Sequence, residues 1–328
     1  MFILKKQILL LLISLATLLV LAACGTATSS VKDEGNPEFY EFGAAAQGGG
    51  FYAIASAMSH EISKNLDGAP VTVVEGGAES NVMGLENGKF AIGLANGETY
   101  IQGLNGTDNF EKKHENVFWI ATLYPNAFHI VVREDSDIYT LEDLKGKTIN
   151  PGIKGYGGEI LFKKVLEIND MSYDDIGKIE YVGTDDAGNL LRDNNIDAIA
   201  VLNAAPVSTF QDLATTVGIR IIPIPNETVE ELNRENEGIA PYTLKKETYS
   251  SMTEDVNTFS ANTAMLVSGD LSDEVVYEIT KTVNEKRDTW ETVIKSMEDF
   301  NSEYAIENQI GPIAPGAEKY YKEIGVLE

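Results

Sequence analysis

Apolar and polar positions alternate along this chain in two rhythms, a period of two over short runs and a period near 3.6 over the stretches between them. That alternation is the mark of α/β organisation. FYEFG, residues 39–43, reads as a strand, and Phe51, Ile54, Ala55, Met58 and Ile62 then recur at helical spacing. VTVVEG is a second strand, ESNVMGLENG a short helix, and FAIGLAN a third strand. Gly88 stands where a helix end needs a left-handed residue. The run VFWIATLYPNAFHIVVRE is interrupted by Tyr124, Pro125 and Asn126. Proline cannot donate to a sheet ladder, so the interruption predicts a crossing between two strands rather than one long strand. A second series of strands and helices follows: TLEDL, KTINPG, GGEILFKKVLEI, KIEYVG, DAGNLLRDN, IDAIAVLN, VSTFQDLATT and IRIIPIP. The segment from Glu227 to Phe259 is polar and reads as irregular, TAMLVSGDL gives one more strand, and Ser272 to Met297 reads as one long amphipathic helix.

The first two dozen residues break this grammar. Lys5 and Lys6 precede a predominantly apolar run from Ile8 to Val20, and LAAC closes it at Cys24. A charged start, an apolar middle and small residues at a cleavage site predict an export signal over residues 1–23. LAAC followed by Gly25 resembles a bacterial lipobox, which makes Cys24 the lipidation site and the membrane anchor. Residues 24–37, small, polar and aperiodic, read as a flexible tether. The expected address is the outer face of the bacterial cytoplasmic membrane.

Charge narrows the partners. The 328 residues carry a formal net charge of −26, or −28 without Lys5 and Lys6, which argues against nucleic acid and anionic lipid as partners. Cys24 is the sole cysteine, so the remaining chain holds neither a disulfide nor a thiol nucleophile.

Nucleotide and catalytic motifs are imitated but not completed. GKT at Gly146 to Thr148 has leucine at position 141, where a phosphate loop needs glycine, and a strand follows it. GYGGEI at Gly155 to Ile160 opens a helix after a strand but has Ile160 in the third glycine position. His60, His114 and His129 show no metal-ligand spacing, and no nucleophile elbow occurs. His129 reads as a satisfied core histidine, and the pairs Asp174-Asp175 and Asp185-Asp186 as turn or helix-cap residues. No enzyme, cofactor or metal is expected. The glycine-rich start GAAAQGGGFYAIASAM, without Lys or Arg nearby, suits a carboxylate better than a phosphate.

Five segments carry a family likeness: GGGFYAIASAM, VEGGAESNVMGLENGKFAIGLANGE, ATLYPNAFHIVVREDSDIYTLEDLKGKTINPGIKGYGGE, IDAIAVLNAAP and IAPGAEKYYKEIGV. Together they resemble the TAXI group of solute receptors, which serve tripartite ATP-independent periplasmic (TRAP) transporters, collinearly from about Phe39 to Val326. The resemblance implies an α/β, two-lobed, type II periplasmic-binding-protein-like fold, each lobe a small sheet flanked by helices and joined to the other by crossing strands. Residues 38–125 and 235–328 would form lobe I, and 126–234 lobe II. A small organic anion, glutamate, glutamine or a related dicarboxylate, would sit between the lobes and pass to TRAP-type permease subunits.

Motif by motif, the resemblance places Gly49, Gly50, Phe51 and Tyr52 in the first loop, Ser80 and Asn81 in the second, and Asn96 at the end of the third strand. Tyr124 matches in the crossing, Tyr156, Gly157, Gly158 and Glu159 in the second helix-start loop, and Asn203 and Pro206 in the segment after the later strand. Ala78, Tyr156 and Gly158 replace hydroxyl donors of the family pattern. On the positions this resemblance marks, the N–H groups at Tyr156 to Gly158 would hold the carboxylate and Tyr52 or Tyr124 would close over the aliphatic part, and Arg133, after the crossing strand, would add a bidentate partner. Rival readings are a lipoprotein receptor of an ATP-driven importer with a thiamine-precursor-like or sulfonate cargo, an exported enzyme on the same scaffold, and an adhesive surface lipoprotein.

Overall fold

The computed structural model of the chain describes residues 39–328, apart from 46, 48 and 49. The signal, the tether, Cys24 and Gly49 therefore lie outside the described residues. Ten strands form one continuous sheet in which β1 (Tyr40–Gly43), β2 (Val71–Val74) and β3 (Ile92–Asn96) are mutually parallel on one side. On the other side β5 (Thr148–Asn150) pairs in parallel with β6 (Lys178–Ile179) and with β7 (Ala198–Ala204). Two long antiparallel strands run through the middle, β4 (Val117–Arg133) and β10 (Val256–Ser268).

The halves of these long strands belong to different cores. Val117 to Tyr124 and Ala264 to Val267 pack with α1 (Gly50–Asn65) and with the C-terminal helix, and Tyr321 of that helix donates from its hydroxyl to the Ile120 carbonyl at 2.9 Å. Ala127 to Val132 pack into a second pair of clusters, one on each face of the sheet. On β7, Ala198 and Ala200 face one cluster while Ile199 and Val201 face the other, the period-two pattern of a strand covered on both sides. Ile239, Leu244, Tyr249 and Phe259 pack with these second-lobe clusters as well.

Three expectations are corrected. The run around Pro125 is one continuous strand of 17 residues. Proline is tolerated because the ladder to β7 starts only at Asn126 and the ladder to β10 shifts register next to it, between Asn262 and Ala264. The segment from Glu227 to Phe259 is ordered: α7 (Asn226–Glu235) and β9 (Ile239–Leu244) lie in it, the helix buried through Thr228, Val229 and Leu232 alone. The long terminal helix is two, α8 (Asp273–Glu285) and α9 (Arg287–Val293). Their junction is fixed by the Trp290 indole N–H, which donates at 2.7 Å to the Val283 carbonyl near the first helix's end.

His129 is a core residue, as its apolar strand implies. Its Nδ1 meets the Ala127 carbonyl at 2.9 Å and its Nε2 the Tyr249 hydroxyl at 3.0 Å, and burial lowers its pKa to about 4. Among the described residues no group of three or more His, Cys, Asp or Glu could hold a metal ion, and no helix is long and apolar enough to cross a membrane.

Candidate functional site

β1, β2 and β3 of the first lobe run opposite to β5 of the second along the continuous sheet, so their carboxyl ends converge from the two lobes, and a helix begins shortly after each. These helices are α1, α2 (Ala78–Glu86), α3 (Gly97–Asn105) and α4 (Gly157–Ile168). Their starts surround a cavity of about 560 Å³. Phe51, Gly76 to Ser80, Glu98 with Thr99, and Gly155 to Gly157 supply its wall from these four starts. In α2, α3 and α4 the capping residues, Gly77, Asn96 and Tyr156, make no side-chain capping hydrogen bond. The starts of α2 and α4 therefore turn first-turn N–H groups and the positive ends of their dipoles to the cavity, the arrangement that receives an anion, whereas in α3 the Glu98 and Thr99 N–H groups are taken by the Glu98 carboxylate.

The remaining lining includes an apolar set, Ile160, Leu161, Leu232, Ile239, Met83 and Phe51. The two lobes approach closely beside it. The position a Gly157 side chain would occupy is 3.2 Å from Glu98 Oε1, and a Cβ on Gly238 would overlap the backbone of Gly97 and Glu98. Asn236 fixes that approach by donating to the Glu98 carbonyl at 2.9 Å.

Of the expected site residues, Phe51, Ser80, Asn96, Tyr156 and Gly157 line the cavity. Asn81 lies beneath the wall, its Nδ2 donating to the Ala44 and Leu94 carbonyls at 2.7 and 2.8 Å. Gly43 and Gly76 are glycines for its sake, since a Cβ on either would collide with Asn81 Oδ1. Gly158 backs onto β7, where a Cβ would stand 3.1 Å from the Leu202 nitrogen. Glu159 is buried and organises its own loop, accepting from the Gly155 N–H at 3.1 Å and the Tyr173 hydroxyl at 3.0 Å and pairing with Lys163 at 2.7 Å. Burial pushes its carboxyl up, and these partners together hold it below the usual range.

Other candidates point elsewhere. Tyr52 packs partly buried on the first-lobe core, and Gly50 lies near the buried Tyr124 hydroxyl, which is not in the cavity wall. Asn203 Oδ1 accepts from the Ala204 N–H, and Pro206 follows a cis peptide with Ala205; neither lines the cavity. Arg133 turns to Asp135, with nitrogen to oxygen distances of 2.9 and 3.0 Å, and to the Arg192 carbonyl at 2.9 Å. Arg133→Ala is therefore expected to leave solute affinity unchanged within twofold and to lower stability by no more than about 1 kcal/mol, as for an exposed ion pair. Calorimetric titration and urea unfolding check both values.

The wall also holds residues that the sequence reading passes over: Gln102, Asn109, Lys164, Glu235 and, above all, Glu98. Glu98 is 2% exposed on the first turn of α3. The Thr99 hydroxyl donates to its Oε1 at 3.1 Å, and among the described residues its Oε2 has no hydrogen-bond partner. Burial raises its pKa to about 7, opposed by hydrogen bonds from its own and the Thr99 N–H groups and from the Thr99 and Asn96 side chains.

The profile of the NMT1-like family matches residues 42–325. Among solved structures, PhnD1 from Prochlorococcus marinus (MIT 9301), in complex with methylphosphonate, is similar with a TM-score of 0.51 at 14% identity. That match covers 89% of this chain and 100% of the other. The periplasmic aliphatic sulphonate binding protein SsuA from Escherichia coli is similar with a TM-score of 0.50 at 16% identity, over 88% of this chain and 91% of the other. At these identities the likeness establishes the fold, a two-lobed α/β architecture of the periplasmic-binding-protein kind.

Proposed function

We propose, because this chain belongs to the NMT1-like family, that it is an exported solute receptor which encloses a small organic acid between its lobes and delivers it to a membrane importer. The observation that carries this reading is the cavity of about 560 Å³ ringed by uncapped helix starts from both lobes. Backbone N–H groups at Ala78 to Ser80 and at Gly157 and Gly158 are the anion donors, and the apolar wall takes the carbon chain. Phe51, Tyr156 and Asn96 shape the mouth; Tyr156, 58% exposed, is free to close over a bound solute. The anchor is a lipid on Cys24. No step of chemistry is assigned to the site.

The importer has two candidates. The resemblance to TAXI receptors supports a TRAP permease driven by an ion gradient. The similar folds come from proteins described as binding an aliphatic sulphonate and methylphosphonate, and these favour the second candidate, an ATP-driven importer with a sulfonate-like cargo.

A thermal-shift panel of carboxylates, sulfonates and phosphonates on the purified full chain in mild detergent tests the reading. A bound acid at a hundredfold excess over its Kd stabilises by about 2.7 kcal/mol, so a clear upward shift in Tm with one class is expected. Flat melting curves across all three classes would refute it.

A further inference from the structure

We propose that Glu98 is the specificity-determining group of the cavity, its carboxylate receiving a protonated amine of the solute, so that the cargo is an organic acid that also carries an amine. This rests on the receptor reading above and names the cargo class of the same site.

Three observations carry it. A buried carboxylate oxygen without a partner is rare, because an unpaired charge out of water is costly. Glu98 Oε2 is such an atom, in a residue that forms part of the cavity wall. Secondly, Glu98 is the acidic wall residue whose unpaired oxygen is buried, whereas the other two carboxylates are reached by solvent and each already has a partner. Glu79, from α2, is held by the Asn109 amide at 3.0 Å, and Glu235, from α7, is paired with Lys164 of α4 at 3.0 Å. Tyr156 completes the titratable groups of the wall, which among the described residues contains no arginine or histidine. A solute with acid groups alone would bring its charge into a cavity holding three carboxylates and one ammonium already engaged.

Thirdly, the placement suits a molecule with both charges. Glu98 Oε1 lies close to the start of α4, so a site for an amine and a site for an acid adjoin across the lobe interface. One small zwitterion touching both would tie the lobes together, whereas a plain acid would engage the N–H groups and leave Glu98 unpaired or protonated. Because the carboxyl titrates near neutrality, the discrimination follows pH: the ionised form attracts the amine, and the protonated form loses that attraction.

The test is calorimetric titration of the full chain in detergent with matched pairs differing by one amine: propane-1-sulfonate and 3-aminopropane-1-sulfonate, ethylphosphonate and 2-aminoethylphosphonate, pentanoate and 2-aminopentanoate. In at least one pair the aminated member is expected to bind tenfold or more tightly at pH 8. The advantage should shrink towards pH 5.5, and Glu98→Gln should erase it. Equal binding within every pair, a preference for the plain acid, or an amine preference that survives Glu98→Gln would overturn the assignment while leaving the receptor reading intact. Failure of every compound to bind would overturn both. Should circular dichroism show Glu98→Gln to be unfolded, the pH trend of the wild-type preference decides alone: a preference that does not fall between pH 8 and pH 5.5 overturns the proposal.

Discussion

Asn81→Ala is expected to lower the stability of the protein by about 3 kcal/mol and to abolish solute-induced stabilisation at the same time. Asn81 is fully buried in α2, and its one amide group satisfies two buried carbonyls, Ala44 just past β1 and Leu94 within β3. Stranding a buried acceptor costs about 1–3 kcal/mol, and two are stranded together, with a small void added. The loss of binding follows from position. The Asn81 amide clamps the ends of two strands to the helix whose first turn lines the cavity, and Gly76 and Gly43 are shaped around its Oδ1. Equilibrium urea unfolding reads the first effect and thermal shift the second. Gly76→Ala supplies an internal check: it collides with Asn81 Oδ1 in the wild type and should be nearly neutral in an Asn81→Ala background, a non-additivity that contacting residues show. A loss of under 1 kcal/mol for Asn81→Ala would mean that water replaces the amide.

The second large effect is on pH dependence. Glu98 is raised from the ordinary 4.5 to about 7 by burial. Between those values the unfolded chain has released the proton and the folded chain still holds it, so stability falls as pH rises through that window and levels off above it. The displacement corresponds to about 3 kcal/mol. Glu98→Gln removes the window. The variant should match the wild type near pH 4 and exceed its stability by up to about 3 kcal/mol at pH 8, read by urea unfolding across the pH range. Parallel stability curves for the two proteins would show that Glu98 ionises normally.

The contrast between these residues shows what sequence patterning conveys. The strands and helices were legible because their apolar periods match the faces they bury; the expected stretch GGEILFKKVLEI is the helix Gly157–Ile168. The helix Asn226–Glu235 was not, because a helix that buries only three residues, one of them threonine, has almost no apolar stripe to read. The glycine-rich helix starts and Ser80, Asn96 and Tyr156 were readable as loop chemistry. Asn81 was marked by its motif, but only coordinates show its amide turned inward to carbonyls. Glu98 was invisible for a simple reason: it is one of 51 acidic residues, and nothing in ANGETYIQG says that this one is buried. Arg133 misleads in the opposite way, since a scarce cation beside a crossing strand draws attention that its ion pair with Asp135 does not support.

The strands β4 and β10 pass through both cores as one paired ribbon, with a register shift near Pro125. A hinge made of loops swivels freely; a ladder of paired strands behaves as a leaf spring, flexing only where its rungs are irregular and resisting shear everywhere else. Any bend or twist between the lobes would then fall at the two offsets, Asn262 to Ala264 and Met265 to Leu266, with the ladder unbroken on either side. A sheet shared by two lobes in this way would carry its own restoring force, so that the rest position of the cleft is set by strand pairing and not by the loops around it.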